Sequence, residues 1–326
     1  MAISQRHVVG SAVNPACSAT PVAVLSLLLS LALAACGGAP ADTASGASNA
    51  ALVSARDNSS PRATGDTATD GLNWINFRRR QAGLKVLTRN VRLDTAALGQ
   101  AKYLESNQTV THVQTVGKPG FTGVTITDRL AASGYGFSQG GHEYGEVLAA
   151  TQSNSGFNAA DELVTAIYHR YVLLEPMSKQ AGAAAAADSD STYFAANVAA
   201  DGLDQGLGMG KFITYPAPHQ SLVPVLFHND SEKPDPMPGH HTVGFPVSVH
   251  ADLLSSLQVV HFTMKPHGGT AVPVQLLTSR SDANTPTSAA AIIPLEPLLA
   301  DTTYDVHFVG LVDGLQVLRN WQFTTE

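Results

Sequence analysis

The sequence predicts an α+β chain, with helices and strands intermixed over residues 71–215 and an all-β segment over 216–326. Three observations carry this. Apolar residues recur at helical spacing between Leu72 and Ile167. From Pro216 onward, short apolar-rich runs are separated by clusters of Pro, Gly, Asn and Asp. A break in composition at Gly71 sets both apart from a polar stretch without aromatic residues.

A length of 326 residues fits two domains, and 44% hydrophobic residues supply material for their cores. With 19 Lys+Arg against 26 Asp+Glu, the net charge is -7. The one basic cluster is Arg78-Arg79-Arg80, so the chain lacks the basic face a nucleic-acid binder needs. Two cysteines, Cys17 and Cys36, exclude a disulfide-rich scaffold and a Cys-rich zinc module.

Residues 1–35 read as a leader rather than as fold. Arg6 and His7 precede an apolar run from Val22 to Ala35. Its 14 residues fall short of the roughly 20 that span a bilayer and fit the central region of a secretory signal. The run ends in Leu33-Ala34-Ala35-Cys36, then Gly37-Gly38, which resembles a bacterial lipobox. That resemblance implies cleavage before Cys36, a lipid on its sulfur, and a chain anchored to the membrane in the bacterial cell envelope, on its periplasmic or outer side. With Cys17 removed and Cys36 acylated, no thiol is left for disulfide formation or nucleophilic catalysis. Residues 36–70 are mostly Ala, Ser, Thr, Gly and Asp, with only Leu52 and Val53 large and apolar, and read as a flexible linker.

The first helix begins at about Leu72, which shares a face with Ile75 and Arg79, and Gly83 should end it. A second runs from about Leu93 to Ser106, with Ala97, Ala101 and Leu104 on one stripe. Thr125-Ile126-Thr127-Asp128 reads as a capping box that opens a third, ending before Gly134. Asn158, with Asp161 three residues on, is the expected cap of a fourth carrying Leu163, Val164, Ala166 and Ile167. Ala181–Ala187 has helical propensity, but Gly182 and the Asp188-Ser189-Asp190 turn favour a strand paired with 192–199. In the tail, Tyr304, Val306 and Phe308 alternate, as do Val317, Arg319, Trp321 and Phe323, with Arg319 the one polar exception. Val259–Met264 and Val272–Leu277 are further strands, and Asp313-Gly314 suits a tight hairpin turn. About 100 residues with this spacing suit a small β-sandwich.

The order of several short segments carries a family resemblance. Leu72-Asn73-Trp74-Ile75-Asn76-Phe77-Arg78 is followed by Gly83-Leu84, then by Asn90, Leu93, Ala97 and Ala101. His112, Gly145-Glu146-Val147, Ile167-Tyr168-His169-Arg170 and Gly182 come next. In this order, residues 72–200 resemble the bacterial form of the CAP family (cysteine-rich secretory proteins, antigen 5, pathogenesis-related 1). The resemblance implies a CAP-type α-β-α sandwich with a cleft where His112, Glu146 and His169 converge. It implies a second glutamate, for which Glu162 is the candidate and Asp161 competes. Val147 departs from the family's Gly-Glu-Asn segment. Leu295-Glu296-Pro297-Leu298, Thr303-Tyr304 and Trp321-Gln322-Phe323-Thr324-Thr325 resemble bacterial Ig-like modules, which makes the tail an Ig-like β-sandwich domain.

Two imidazoles and a carboxylate suit a divalent metal such as zinc, leaving a position open for water, and His142 offers a fourth ligand. The alternative is that His112 and His169 only hydrogen-bond their neighbours and organise the fold. Gly136-Phe137-Ser138-Gln139-Gly140 has the spacing of a nucleophile elbow, but a helix precedes it where a strand is needed. His142-Glu143-Tyr144-Gly145-Glu146 lacks the helix and the second His of a zinc-protease motif. The glycines of 206–210 miss phosphate-loop spacing and read as a turn. His228, His240, His241 and His250 lie around a Pro-rich stretch read as a solvated loop. Three functions follow as expectations. The first is non-catalytic binding of a lipid or cell-envelope component in the CAP cleft. The second is metal-dependent hydrolysis by the His/Glu cluster. The third is adhesion or scaffolding through the Ig-like domain.

Overall fold

A computed structural model describes residues 2–9, 60–138 and 140–326. The Val22–Ala35 run, Cys36 and most of the linker lie outside these residues.

Ala2–Val9 forms a strand, β1. The next elements are helix α1 (Thr67–Gln81), β2 (Thr88–Arg89), α2 (Val91–Asn107) and α3 (Ile126–Ala132). They are followed by β3 (His142–Thr151), α4 (Gly156–Thr165), α5 (Ile167–Leu173), β4 (Gln180–Ala187) and β5 (Thr192–Asp201). Asp66 caps α1 by accepting from the Thr69 N–H at 2.7 Å, and Gly83 leaves the helix at φ 82°. The capping box at Thr125 and Asp128 is present as expected. Gln180–Ala187 is a strand because it pairs along its whole length with β5, which overrides the helical propensity of alanine.

The cap of α4 differs from expectation. Ser155, not Asn158, accepts the first N–H, from Asn158 itself at 3.3 Å. The helix therefore starts at Gly156, where α4 crosses α1. A Cβ there would stand 2.0 Å from the Thr67 carbonyl oxygen and 2.6 Å from the Gly71 nitrogen. Both are backbone atoms that cannot swing aside. Gly156→Ala is therefore expected to destabilise the fold by about 1–3 kcal/mol, read by urea unfolding. An unchanged midpoint would show that the crossing has slack.

Side chains alternate across the sheet. Leu148 and Ala195 face α2, where Ala97, Ala101 and Leu104 pack on them. Val147, Ala149, Phe194 and Ala196 face α1 and α4, represented by Leu72, Ile75, Leu163 and Val164. The result is the expected α-β-α sandwich. Its sheet has the order β2-β4-β5-β3-β1, with one further strand from the C-terminal half beyond β1.

That half begins with β6 (Phe212–Tyr215), β7 (Gln220–Val223), β8 (Leu226–Phe227), β9 (Glu232–Lys233) and β10 (Val243–Gly244). It continues with β11 (Val247–Ala251), β12 (Leu257–Pro266), β13 (Val274–Thr278), β14 (Ala289–Pro294), β15 (Thr303–Val312) and β16 (Leu315–Thr325). Two four-stranded sheets, β13-β14-β11-β6 and β12-β15-β16-β7, form a sandwich. Phe308 joins them, its ring 5.2 Å from both Phe212 and Phe262. Asp313 and Gly314 make the β15–β16 turn at φ 54° and 78°.

The two halves are not separate bodies. Phe212–Tyr215, within the 71–215 range, pairs with β11 and so belongs to the C-terminal sandwich. One apolar cluster runs from Leu72 through Val247 to Phe323. Arg170, fully buried on α5, donates to the Pro246 carbonyl at 2.6 Å and stacks on Tyr215 and Phe245. β9 also crosses over, pairing with β1 beyond the β3 edge. No helix among the described residues is long and apolar enough to cross a membrane.

Candidate functional site

Strand alternation puts Glu146 on the α2–α3 face of β3, where it is fully buried. Arg129, on α3, donates to both of its oxygens at 2.8 and 2.9 Å. His112 lies on the loop between α2 and α3, and its Nδ1 is 2.8 Å from Glu146 Oε1. With its amide nitrogen turned inward, Asn197 of β5 also donates to Glu146 Oε2 at 3.3 Å. Arg129 further holds the loop through the His112 carbonyl at 3.1 Å. Two of the expected cleft residues, His112 and Glu146, are thus brought together, and Arg129 is the partner that sequence reading missed.

His169 has a different carboxylate. It is fully buried on α5, and its Nδ1 lies 2.8 Å from Glu232 Oε1. Glu232 also accepts the N–H groups of Ile167, Tyr168 and His169 at 2.9, 2.7 and 3.2 Å. It thereby caps a helix whose own N-cap, Ala166, has no side-chain acceptor. The Glu162 assignment is corrected here. Glu162 is exposed on α4 and accepts from the Asn158 amide at 3.1 Å, while His169 takes its carboxylate from β9. The competing Asp161 is also engaged elsewhere, with Arg78 and the Trp74 indole, both at 2.8 Å. Glu232 follows His169 by 63 residues, in a short strand without a motif, and no spacing rule connects them.

His142 does not join Glu146. Four residues along a strand separate them by about 13 Å. Its ring stacks on Phe137 instead, centroids 4.0 Å apart. Among the described residues no three His, Cys, Asp or Glu side chains stand together as a metal site. The chemistry of the donors agrees. Glu146 is spent on Arg129 and His112, and Glu232 on α5 and His169. What remains is Nε2 of His112 and Nε2 of His169, each buried without a hydrogen-bond partner. A single imidazole nitrogen at each place does not fit zinc, which takes three protein ligands or more. The expected set of His112, Glu146, His169 and His142 is therefore two separate imidazole–carboxylate dyads and a stacked ring.

β1 lies between the dyads. Gln5 is opposite Glu146 on one side, and Ala2 is opposite Glu232 on the other. Because Ala2 pairs with both Ala149 and Glu232, Glu232 lies on the face that packs against α1 and α4, while Glu146 lies on the α2–α3 face, so the two dyads stand on opposite faces of the sheet.

The remaining motifs behave as structural parts. Ser138 sits outside any strand and donates to Asp201 at 2.5 Å. The glycine turn at 206–208 wraps a carboxylate: Asp252 accepts from the Leu207 and Gly208 N–H groups, both at 2.7 Å. His241 is exposed and pairs with Asp230 at 2.9 Å. His250 is not in the solvated loop, as the Pro-rich reading had it, but is buried in β11, 2.9 Å from the Ser248 hydroxyl.

Asp128 gives the site an acid-sensitive edge. Hydrogen bonds from the Thr125 N–H and hydroxyl, each at 2.9 Å, hold its carboxyl below the usual range. A carboxyl lowered in the folded state adds stability above its unfolded pKa, about 3.9, and loses it as pH falls through the folded value. Asp128→Ala is therefore expected to lose more stability at pH 7 than at pH 3. Equal losses in urea at the two pH values would remove the carboxylate from this role.

A sheet between two helical layers, with buried imidazole–carboxylate dyads flanking its edge, defines a three-layer α-β-α domain. Residues 72–198 match the pattern of CAP, the Cysteine-rich secretory protein family, and form a domain of that family. Among the solved structures similar to part of the chain are two bacterial extracellular or outer-surface proteins. One is an extracellular protein containing an SCP domain from Bacillus anthracis, with 20% identity over 40% of this chain and a TM-score of 0.34. The chain spans 39% of that protein's length. The other is an outer surface protein from Borrelia burgdorferi, with 17% identity over 40% of this chain and 90% of its own, and a TM-score of 0.34. The curated proteins contain no match.

Proposed function

We propose that this is an extracytoplasmic lipoprotein, anchored through Cys36, whose CAP domain binds a lipid or another cell-envelope component in its cleft without catalysis. One observation supports this most directly. Glu146 and Glu232 are consumed by structural partners, while His112 and His169 each keep an unpartnered Nε2. Such nitrogens can hydrogen-bond a ligand. Neither place gathers the three protein ligands that a metal-bound water needs among the described residues. Leu33-Ala34-Ala35-Cys36 supports the anchor.

Fractionation of bacteria expressing the full chain tests the anchor. Wild type is expected in the membrane fraction with an acyl group on Cys36, and Cys36→Ser is expected to lose that group and the fatty-acid label. Zinc titration calorimetry on the chain from residue 36, with Cys36→Ser, tests the non-catalytic reading. No stoichiometric heat is expected. Tight binding lost in His112→Ala and His169→Ala would place an ion at these histidines, and hydrolase assays would then decide the metal-dependent alternative.

A further inference from the structure

We infer that the outer face of the C-terminal sandwich carries a second binding site, a groove across β12, β15 and β16 that takes a neutral saccharide. The site goes beyond the cleft reading, because no residue of the CAP domain lines it. Cross-strand register builds its floor. Thr263, His307 and Asn320 stand side by side on the three strands, and Lys265, Asp305 and Gln322 form the next outward row. Met264, Val306 and Trp321, which alternate with them, are buried, so all six point outward.

Two pinned loops turn this face into a groove. On the β16 side stand Pro218 and His219. The His219 N–H donates to the Gln322 carbonyl at 2.7 Å, and Trp321 Nε1 donates to the Pro216 carbonyl at 3.0 Å. On the β12 side stands the turn that carries Ala271. The His267 N–H donates to the Thr303 carbonyl at 2.8 Å, and the Val272 N–H to the Met264 carbonyl at 3.0 Å. The space between the loops is about 500 Å³, within the size range of small-molecule sites. The floor is also set before any ligand arrives. Asp305 accepts from Gln322 Nε2 at 2.7 Å and lies 3.1 Å from His267 Nδ1. Asn320 Oδ1 lies 2.6 Å from His307 Nδ1. These bonds fix rotamers that a ligand would otherwise have to order. They leave capacity over: a carboxylate has about four acceptor positions, and His307 Nε2 and the Asn320 NH2 group have no partner among the described residues.

The chemistry of the floor selects among ligands. Lys265 and Asp305 are cross-strand neighbours of opposite sign, so an ion of either charge meets a like charge. A lipid chain would strip water from six polar side chains without replacing their hydrogen bonds. The floor strands pair with one another, which leaves no free backbone row in the groove for an added strand. A sugar ring presents adjacent hydroxyl groups that each donate and accept. They match a floor that mixes an acceptor-only carboxylate, a donor-only ammonium, and amide and imidazole groups that do both.

Titration calorimetry on the full chain carrying Cys36→Ser tests the site, with trisaccharides of glucose, galactose, mannose and N-acetylglucosamine as probes. At least one is expected to bind saturably and to raise the melting temperature with concentration. Asp305→Asn and Asn320→Ala are each expected to weaken that binding about tenfold or more. Asn320 is exposed, so its alanine variant decides the question if Asp305→Asn fails to fold. Gln316→Ala, on the same face of β16 but outside the groove, is expected to leave the affinity unchanged. Trigalacturonate, the anionic counterpart of the galactose probe, is expected to bind no more tightly than that probe. Phosphatidylglycerol vesicles are expected not to compete. No binding of any neutral probe to a sample that melts cooperatively would overturn the site. So would tighter binding of the anion, competition by vesicles, or an affinity that Asn320→Ala leaves unchanged.

Discussion

Glu232→Ala is expected to destabilise the protein by about 3–5 kcal/mol, because it removes the shared acceptor of four buried hydrogen bonds. The residue is fully buried and accepts from His169 and from three N–H groups of α5. Alanine leaves all four donors without an acceptor, in a place water does not reach. Glu232→Gln keeps the shape and one acceptor oxygen, and should lose markedly less. Glu162→Ala is the matched control. That side chain is exposed, and its replacement should fall within about 0.5 kcal/mol of wild type. Urea unfolding of the three variants decides which glutamate serves His169. Equal losses for Glu232→Ala and Glu162→Ala would refute the pairing. Because Glu232 comes from the C-terminal half and His169 from the CAP domain, the same experiment measures how far one half depends on the other.

Arg129→Met is expected to cost a similar amount, about 3–5 kcal/mol. Methionine fills much of the volume but leaves Glu146 buried without its bidentate partner. It also releases the carbonyls of His112, Gly123 and Val124, so the loop carrying His112 should loosen. Adding Glu146→Gln removes the stranded charge. The double variant is expected to be more stable than the sum of the single losses predicts, by about 0.5–3 kcal/mol in a double-mutant cycle. Strict additivity would mean that the two side chains do not act as a pair. Amide exchange in the 112–125 loop gives a second readout, expected to quicken in Arg129→Met and to stay unchanged in Glu162→Ala.

Local chemistry made much of the fold legible. Thr125 and Asp128 cap α3 through atoms three residues apart, and Asp313-Gly314 turns a hairpin within two residues. The period-two pattern of Tyr304, Val306 and Phe308 buries one face of β15, and those three side chains are in the core. Where a contact between distant segments intervened, local rules gave the wrong detail. Asn158 has the chemistry of a cap, but the close approach of Gly156 to α1 sets the start of α4 at Ser155. Gln180–Ala187 needed either a family resemblance or its partner strand to be read correctly.

The candidate site divides in the same way. By itself the sequence determined the α+β class and the CAP resemblance over residues 72–200, which the family pattern matches at 72–198, and it singled out His112, Glu146 and His169 as candidates. Their order along the chain is a pattern that needs no coordinates. Only the tertiary structure decided which carboxylate meets which imidazole. Arg129 reaches Glu146 across 17 residues and Glu232 reaches His169 across 63. Pairing over such distances is set by how helices and strands pack, and a buried donor takes whichever acceptor the packing brings to it.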